Sequence, residues 1–213
     1  MSIDAFHRCT GVAAAMLRPN IDTDAIIPSR EMKRVSKVGL GEGLFAGERY
    51  LAAETREPSP DFVLNQPEYR DCCILLAGPN FGCGSSREHA VWALKEFGIR
   101  AIVAPSFGAI FANNCVRNGL LPVTLAQAQV EDVADWVLDA PANNHVTIDL
   151  DLQRLVAGAI SVTFEVDAGA RQMLLNGLDA IALTQTRWNQ IADFDRKRRE
   201  SHPWLYQQES SMP

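Results

Sequence analysis

Cys72-Cys73-Ile74-Leu75-Leu76-Ala77, followed by Gly78-Pro79-Asn80-Phe81-Gly82-Cys83-Gly84-Ser85-Ser86-Arg87-Glu88-His89-Ala90, decides how this chain is read. Six apolar residues in a row fit a strand buried on both faces, and the glycine-rich turn after them ends it. Behind the turn, Ala90-Val91-Trp92-Ala93-Leu94-Lys95-Glu96-Phe97 has helical spacing, so a helix is expected over 86–97. The first turn of such a helix leaves N–H groups unpaired at the positive end of the dipole and attracts a carboxylate or an alkoxide. Arg87 adds a planar fork of donors matched to a carboxylate.

Working outward, Val12–Met16 reads as an early strand, and Pro19-Asn20-Ile21-Asp22-Thr23-Asp24 as a turn. From 39 to 70 the chain is rich in Gly, Pro and charge, a long connection of the kind that serves substrate or partner, with one short helix near 48–54. Strands are expected at 101–104 and 119–123, with a short helix at 107–113 between them. After Pro141, residues 146–150 and 160–166 alternate at period two and read as neighbouring strands. A helix over 168–176 stopped by Gly177 and a longer one over 179–199 follow. The fold class is α/β: a central mixed sheet flanked by helices, with the 146–166 strands as an additional layer. One domain is expected over 1–200, and a frayed tail over 201–213.

The 213 residues are 47% hydrophobic and 22% charged, with four Trp and nine Phe, a globular composition. A net charge of −6 disfavours nucleic acid as partner and favours small metabolites or proteins. No secretory leader or membrane span is read, so a cytoplasmic protein is expected. The five cysteines, Cys9, Cys72, Cys73, Cys83 and Cys115, lack C-x-x-C spacing and suggest neither a disulfide framework nor a metal or cluster site on this chain. The run Arg196–Arg199 is a solvated helix end.

Known glycine loops do not fit. Gly82-Cys83-Gly84-Ser85-Ser86-Arg87 lacks the third glycine of a dinucleotide fingerprint, no Gly-Lys-Ser/Thr is present, and Ser85 lacks the flanks of a nucleophile elbow. Ser85-Ser86-Arg87-Glu88 does fit a capping box, which gives Ser85 a structural role beside a catalytic one. The two can coexist, since the donors that bind anions also stabilise an alkoxide. His89 is the conventional base, although one turn into a helix it more often packs.

The loop Asn80–Ala90, with Asn20-Ile21-Asp22-Thr23-Asp24-Ala25-Ile26-Ile27-Pro28 before it, closely resembles the swivelling β/β/α domain of the aconitase superfamily, and more narrowly the small-subunit family of the 3-isopropylmalate dehydratases. Ala104-Pro105-Ser106-Phe107, Asn118–Val123 and Asn176-Gly177-Leu178-Asp179 extend the likeness over nearly the whole chain. The resemblance implies a hydro-lyase of leucine biosynthesis, active only with a large subunit that carries a [4Fe-4S] cluster. It implies that Ser85 removes the carbon-bound proton, that Arg87 grips a substrate carboxylate with Ser86 as supporting donor, and that Asp24 supports them; His89, from its place in the helix, stands as a further supporting candidate. Arg30, Arg34 and Arg49 stand as candidate contacts to the variable arm of a 2-hydroxy diacid. Homoaconitate or a substituted malate or maleate is the alternative substrate, and a non-catalytic carboxylate-binding module the alternative class.

Overall fold

The computed structural model describes residues 4–33, 38–52, 54–85 and 87–206. In chain order the elements are β1 (Arg8–Met16), α1 (Thr23–Ile26), α2 (Ala46–Arg49), β2 (Cys72–Ala77), α3 (Glu88–Phe97), β3 (Ala101–Ala104), α4 (Ala109–Arg117), β4 (Leu121–Thr124), α5 (Gln127–Asp139), β5 (Val146–Asp149), β6 (Arg154–Ala157), β7 (Ile160–Thr163), α6 (Ala168–Asn176), α7 (Ala180–Gln185) and α8 (Trp188–Ser201). Seven strands form one mixed sheet in the order β4-β3-β2-β1-β5-β6-β7.

β1 joins two kinds of pairing. Its second half runs parallel to β2, from Val12 opposite Cys72 to Met16 opposite Ala77, while Arg8–Gly11 run antiparallel to β5, from Asp149 to Val146. The strands of 146–163 therefore continue the sheet through β1 and do not form a separate layer. Nor are β5 and β7 neighbours as expected: Arg154-Leu155-Val156-Ala157, inside what reads as a connection, is β6 and pairs with both.

The apolar run of β2 is buried on both faces because helices cover both. Leu75, Ala77 and Ile102 join the cluster beneath α3 and α4, with Ala90, Val91, Leu94 and Phe111. Ile74, Leu76, Ala101 and Val103 point the other way, onto Val130, Val133, Ala134 and Val137 of α5. Sequence reading passes over α5, although its four buried residues follow the i, i+3, i+4, i+7 rule. Each fully buried valine contributes about 1.5 to 3 kcal/mol, and α5 also touches β6 and β7, so it closes the second core.

The 39–70 region forms short turns of helix, with α2 at 46–49 and not at 48–54. Leu40, Leu44, Phe45 and Leu64 are buried against the first cluster. The Glu96 carboxylate accepts from the N–H groups of Gly39 and Gly41 at 2.6 and 2.7 Å. Gly177 ends α6 in the left-handed conformation, as the sequence requires. The expected long helix from 179 is broken at Thr186–Arg187, where the Thr184 and Thr186 hydroxyls bond the Ala180 and Leu183 carbonyls. Arg196 and Arg199 pair with Asp193 and Asp195 in solvent. No helix among the described residues is long and apolar enough to cross a membrane.

Candidate active site

β1 and β2 are parallel neighbours, so the turns after them leave the same edge of the sheet. There the glycine loop is strung between two other segments. On one side Asn20 N–H donates to the Pro79 carbonyl (2.9 Å), Gly82 N–H to Ile21 (2.7 Å) and Thr23 N–H to Cys83 (3.0 Å). On the other, Phe81 N–H donates to the Ser106 carbonyl (3.1 Å), Gly108 N–H to Phe81 (2.9 Å), and Asn80 N–H to the Ser106 hydroxyl (2.9 Å). Three of the separated sequence motifs thus become one backbone lattice. Gly82 has φ +72°, and a Cβ there would lie 2.2 Å from the Phe111 ring, so only glycine lets the loop sit this close.

The expected capping box is not formed. Arg87 is the N-cap of α3, without a side-chain capping bond, and α3 starts at Glu88, two residues later than expected. Glu88 accepts instead from the Asn118 amide at 2.8 Å, and Asn118 also receives the Trp92 indole N–H at 2.9 Å. A tertiary partner has outcompeted the local one, and Ser85, two residues before the cap, is exposed.

Arg87 is held from the other motif. Its Nη1 donates to Asp24 Oδ1 at 2.6 Å and to Ser29 Oγ at 2.8 Å, while Ser29 donates to the same carboxylate oxygen at 3.3 Å. With side chains 24% and 50% exposed, the Arg87–Asp24 pair contributes at most about 1 kcal/mol to stability; its effect is orientation. Nε and Nη2 of Arg87 make no hydrogen bond among the described residues, which leaves an edge of the fork for a ligand. Asp22 caps α1, accepting from Ala25 N–H at 2.7 Å, and so fixes Asp24 two residues on. Sequence reading missed Ser29, which carries no motif of its own.

The remaining candidates are placed as follows. Ser86 and Arg34 lie outside the described residues. His89 packs against Trp92 with the rings tilted by 56° and their centroids 4.8 Å apart. Arg30 bonds Glu31 (3.4 Å) and the Ala46 carbonyl (3.3 Å). Arg49 bonds Asn65 (3.2 Å) and the Gly41 carbonyl (3.1 Å) and lies 4.8 Å from the centroid of the Phe97 ring, bracing the 39–70 region. All five cysteines are free thiols. Among the described residues no group of three or more His, Cys, Asp or Glu is placed to hold a metal ion.

Residues 3–128 match the aconitase C-terminal domain, and the chain belongs to that family. It is 62% identical over 205 residues to the 3-isopropylmalate dehydratase small subunit of Cupriavidus necator, covering 96% of this chain and 99% of that one. The small subunit of Rhizobium etli is 48% identical, with coverage of 95% and 99%. A crystal structure of 3-isopropylmalate dehydratase from Methanocaldococcus jannaschii superposes with a TM-score of 0.63 at 26% identity, covering 87% of this chain and 98% of that one. Within the family, this chain stands among the small subunits.

Proposed function

We propose that this chain is the small subunit of a cytoplasmic two-chain hydro-lyase of leucine biosynthesis. The enzyme interconverts 2-isopropylmalate and 3-isopropylmalate by dehydration and rehydration. Residues 1–200 serve as its swivelling domain, and the 39–70 region faces substrate or partner. The names of relatives at 62% and 48% identity favour isopropylmalate over homoaconitate or maleate. The observation that carries the site assignment is an exposed, non-capping Ser85 on the same loop as an Arg87 whose fork is aimed by Asp24 and Ser29.

In this reading Arg87 binds a substrate carboxylate through the edge that Asp24 leaves open, with Ser86 as a further donor, and so fixes the acidic carbon over Ser85. Ser85 then takes the carbon-bound proton onto its oxygen. With Ser85 reacting as its alkoxide, the neighbouring hydroxyl departs as hydroxide and leaves an unsaturated diacid and a neutral Ser85; return of hydroxide in the other orientation, with Ser85 giving the proton back to carbon, gives the isomer. A [4Fe-4S] cluster on the large subunit supplies the Lewis acid for that hydroxyl; this chain's described residues offer it no ligand set. His89, packed at a tilt against Trp92, supports the first turn of α3.

The chain alone should be inactive on 3-isopropylmalate and become active when mixed anaerobically with a cluster-loaded large subunit. Turnover by the metal-free chain alone would overturn the division of labour. Arg87→Lys keeps the charge but loses the fork, so KM should rise about 10- to 100-fold, the range of one charge-assisted hydrogen bond, with a smaller change in kcat. Asp24→Asn should lower kcat/KM by about 10-fold through misplacement of Arg87. An unchanged KM in Arg87→Lys would remove Arg87 from substrate binding.

A further inference from the structure

The sulfur atoms of Cys9 on β1 and Cys73 on β2 lie 3.5 Å apart, with Cys9 as donor. They meet because of an irregularity in the sheet. Val12 pairs with Cys72 but Ala13 with Ile74, so Cys73 is the extra residue of a bulge and has no register partner on β1. Gly11 makes the room: a Cβ there would lie 2.6 Å from the Cys73 sulfur. Cys73 is half-buried and lines a surface pocket with Thr10, Gly11, Glu68, Arg70 and His145, whereas Cys9 is buried behind it.

The two thiols are not equivalent. The hydrogen bond from Cys9 and the charge of Arg100 hold the Cys73 thiol below its ordinary range, against the effect of burial. The same hydrogen bond, together with burial, pushes Cys9 up. Burial pushes Cys115 up, and burial together with the neighbouring charge of Cys73 carries Cys72 to about 12. Cys73 is therefore the nucleophile of the group and Cys9 its resolving partner.

We propose that Cys9 and Cys73 form a modification site, a dithiol that hydroperoxides oxidise to an intrachain disulfide joining β1 to β2. The Cys73 thiolate attacks one peroxide oxygen, the O–O bond breaks, and hydroxide or alkoxide leaves, giving a sulfenic acid. The Cys9 sulfur then displaces the sulfenic oxygen, which departs as water with the Cys9 proton and the proton of the sulfenic acid. The sulfurs have lost two electrons and the peroxide has gained them. The sulfurs, 3.5 Å apart, already face each other and have about 1.5 Å to close to the roughly 2.05 Å of a disulfide.

The test treats the full chain with hydrogen peroxide, alkylates residual thiols, and maps peptides without reduction by mass spectrometry. The expected product is a Cys9–Cys73 linked pair, lighter by two hydrogens, insensitive to tenfold dilution and returned to free thiols by dithiothreitol. Cys72→Ala should keep the link. Cys73→Ser should abolish it, and Cys9→Ser should leave a Cys73 sulfenic acid captured by dimedone. Wild-type chain in which both residues remain alkylated after peroxide would overturn the proposal, as would a link to Cys72 in its place. The wild-type map decides by itself, whether or not the Cys9→Ser chain folds.

Discussion

Ser85→Ala is expected to lower kcat of the reconstituted two-chain enzyme by roughly 10³-fold, within the range of a lost general base, while KM for isopropylmalate changes little. Its effect on folding should be small, within about 0.5 kcal/mol, because Ser85 is exposed and makes no capping bond among the described residues: α3 begins at Glu88 with Arg87 as its N-cap. A local capping box would have cost about 1 kcal/mol on the same substitution, so thermal unfolding separates the two roles. An alanine variant with near-normal turnover and an unchanged melting temperature would show that the proton leaves to another group. Primary isotope effects with substrate deuterated at the reacting carbon sharpen the test, since they report the proton-transfer step directly.

Gly82→Ala should be the most damaging single methyl in the loop. The residue sits at φ +72°, a conformation that costs an L-residue about 1 to 2 kcal/mol. The new Cβ would lie 2.2 to 2.7 Å from three carbons of the Phe111 ring. Phe111 cannot step aside: it is 1% exposed and packs edge-on against Phe81 with ring centroids 5.5 Å apart. Overpacking adds about 1 to 3 kcal/mol, for a total near 3 kcal/mol and a melting temperature lower by about 10 °C. Activity should fall as well, because Gly82 N–H is one of the bonds tying the loop to Ile21. Gly82→Ala combined with Phe111→Leu should recover part of the loss. A single variant as stable as the wild type would mean that loop and α4 are not packed as described.

What the sequence makes legible follows a physical line. β2 and β3 are read correctly because strands buried on both faces are continuous apolar runs, and α6 because Gly177 can do what other residues cannot. α5 is missed although Val130, Val133, Ala134 and Val137 carry its pattern; with Glu131, Asp132, Asp135 and Trp136 between them, the stripe shows only when counted against a helical template. β6 is missed because four residues, Arg154–Ala157, hold too few alternations to register and gain their stability from the two strands beside them. In the site, the residue types at Ser85, Arg87 and Asp24 announce anion chemistry. Their assembly does not, since the pairing of Arg87 with Asp24 spans 63 residues and the capture of Glu88 by Asn118 spans 30. The local reading of Ser85-Ser86-Arg87-Glu88 failed at the one place where a long-range amide was available.

The match to the aconitase C-terminal domain ends at residue 128, the second residue of α5. A chain cut there would leave Arg8–Gly11 with bare amide edges and the floor of β2 and β3 open to water, with Ile74, Leu76, Ala101 and Val103 uncovered. The border of that domain match and the border of a self-supporting core thus differ in this molecule. A shortened version should bind itself or precipitate before it could meet a partner.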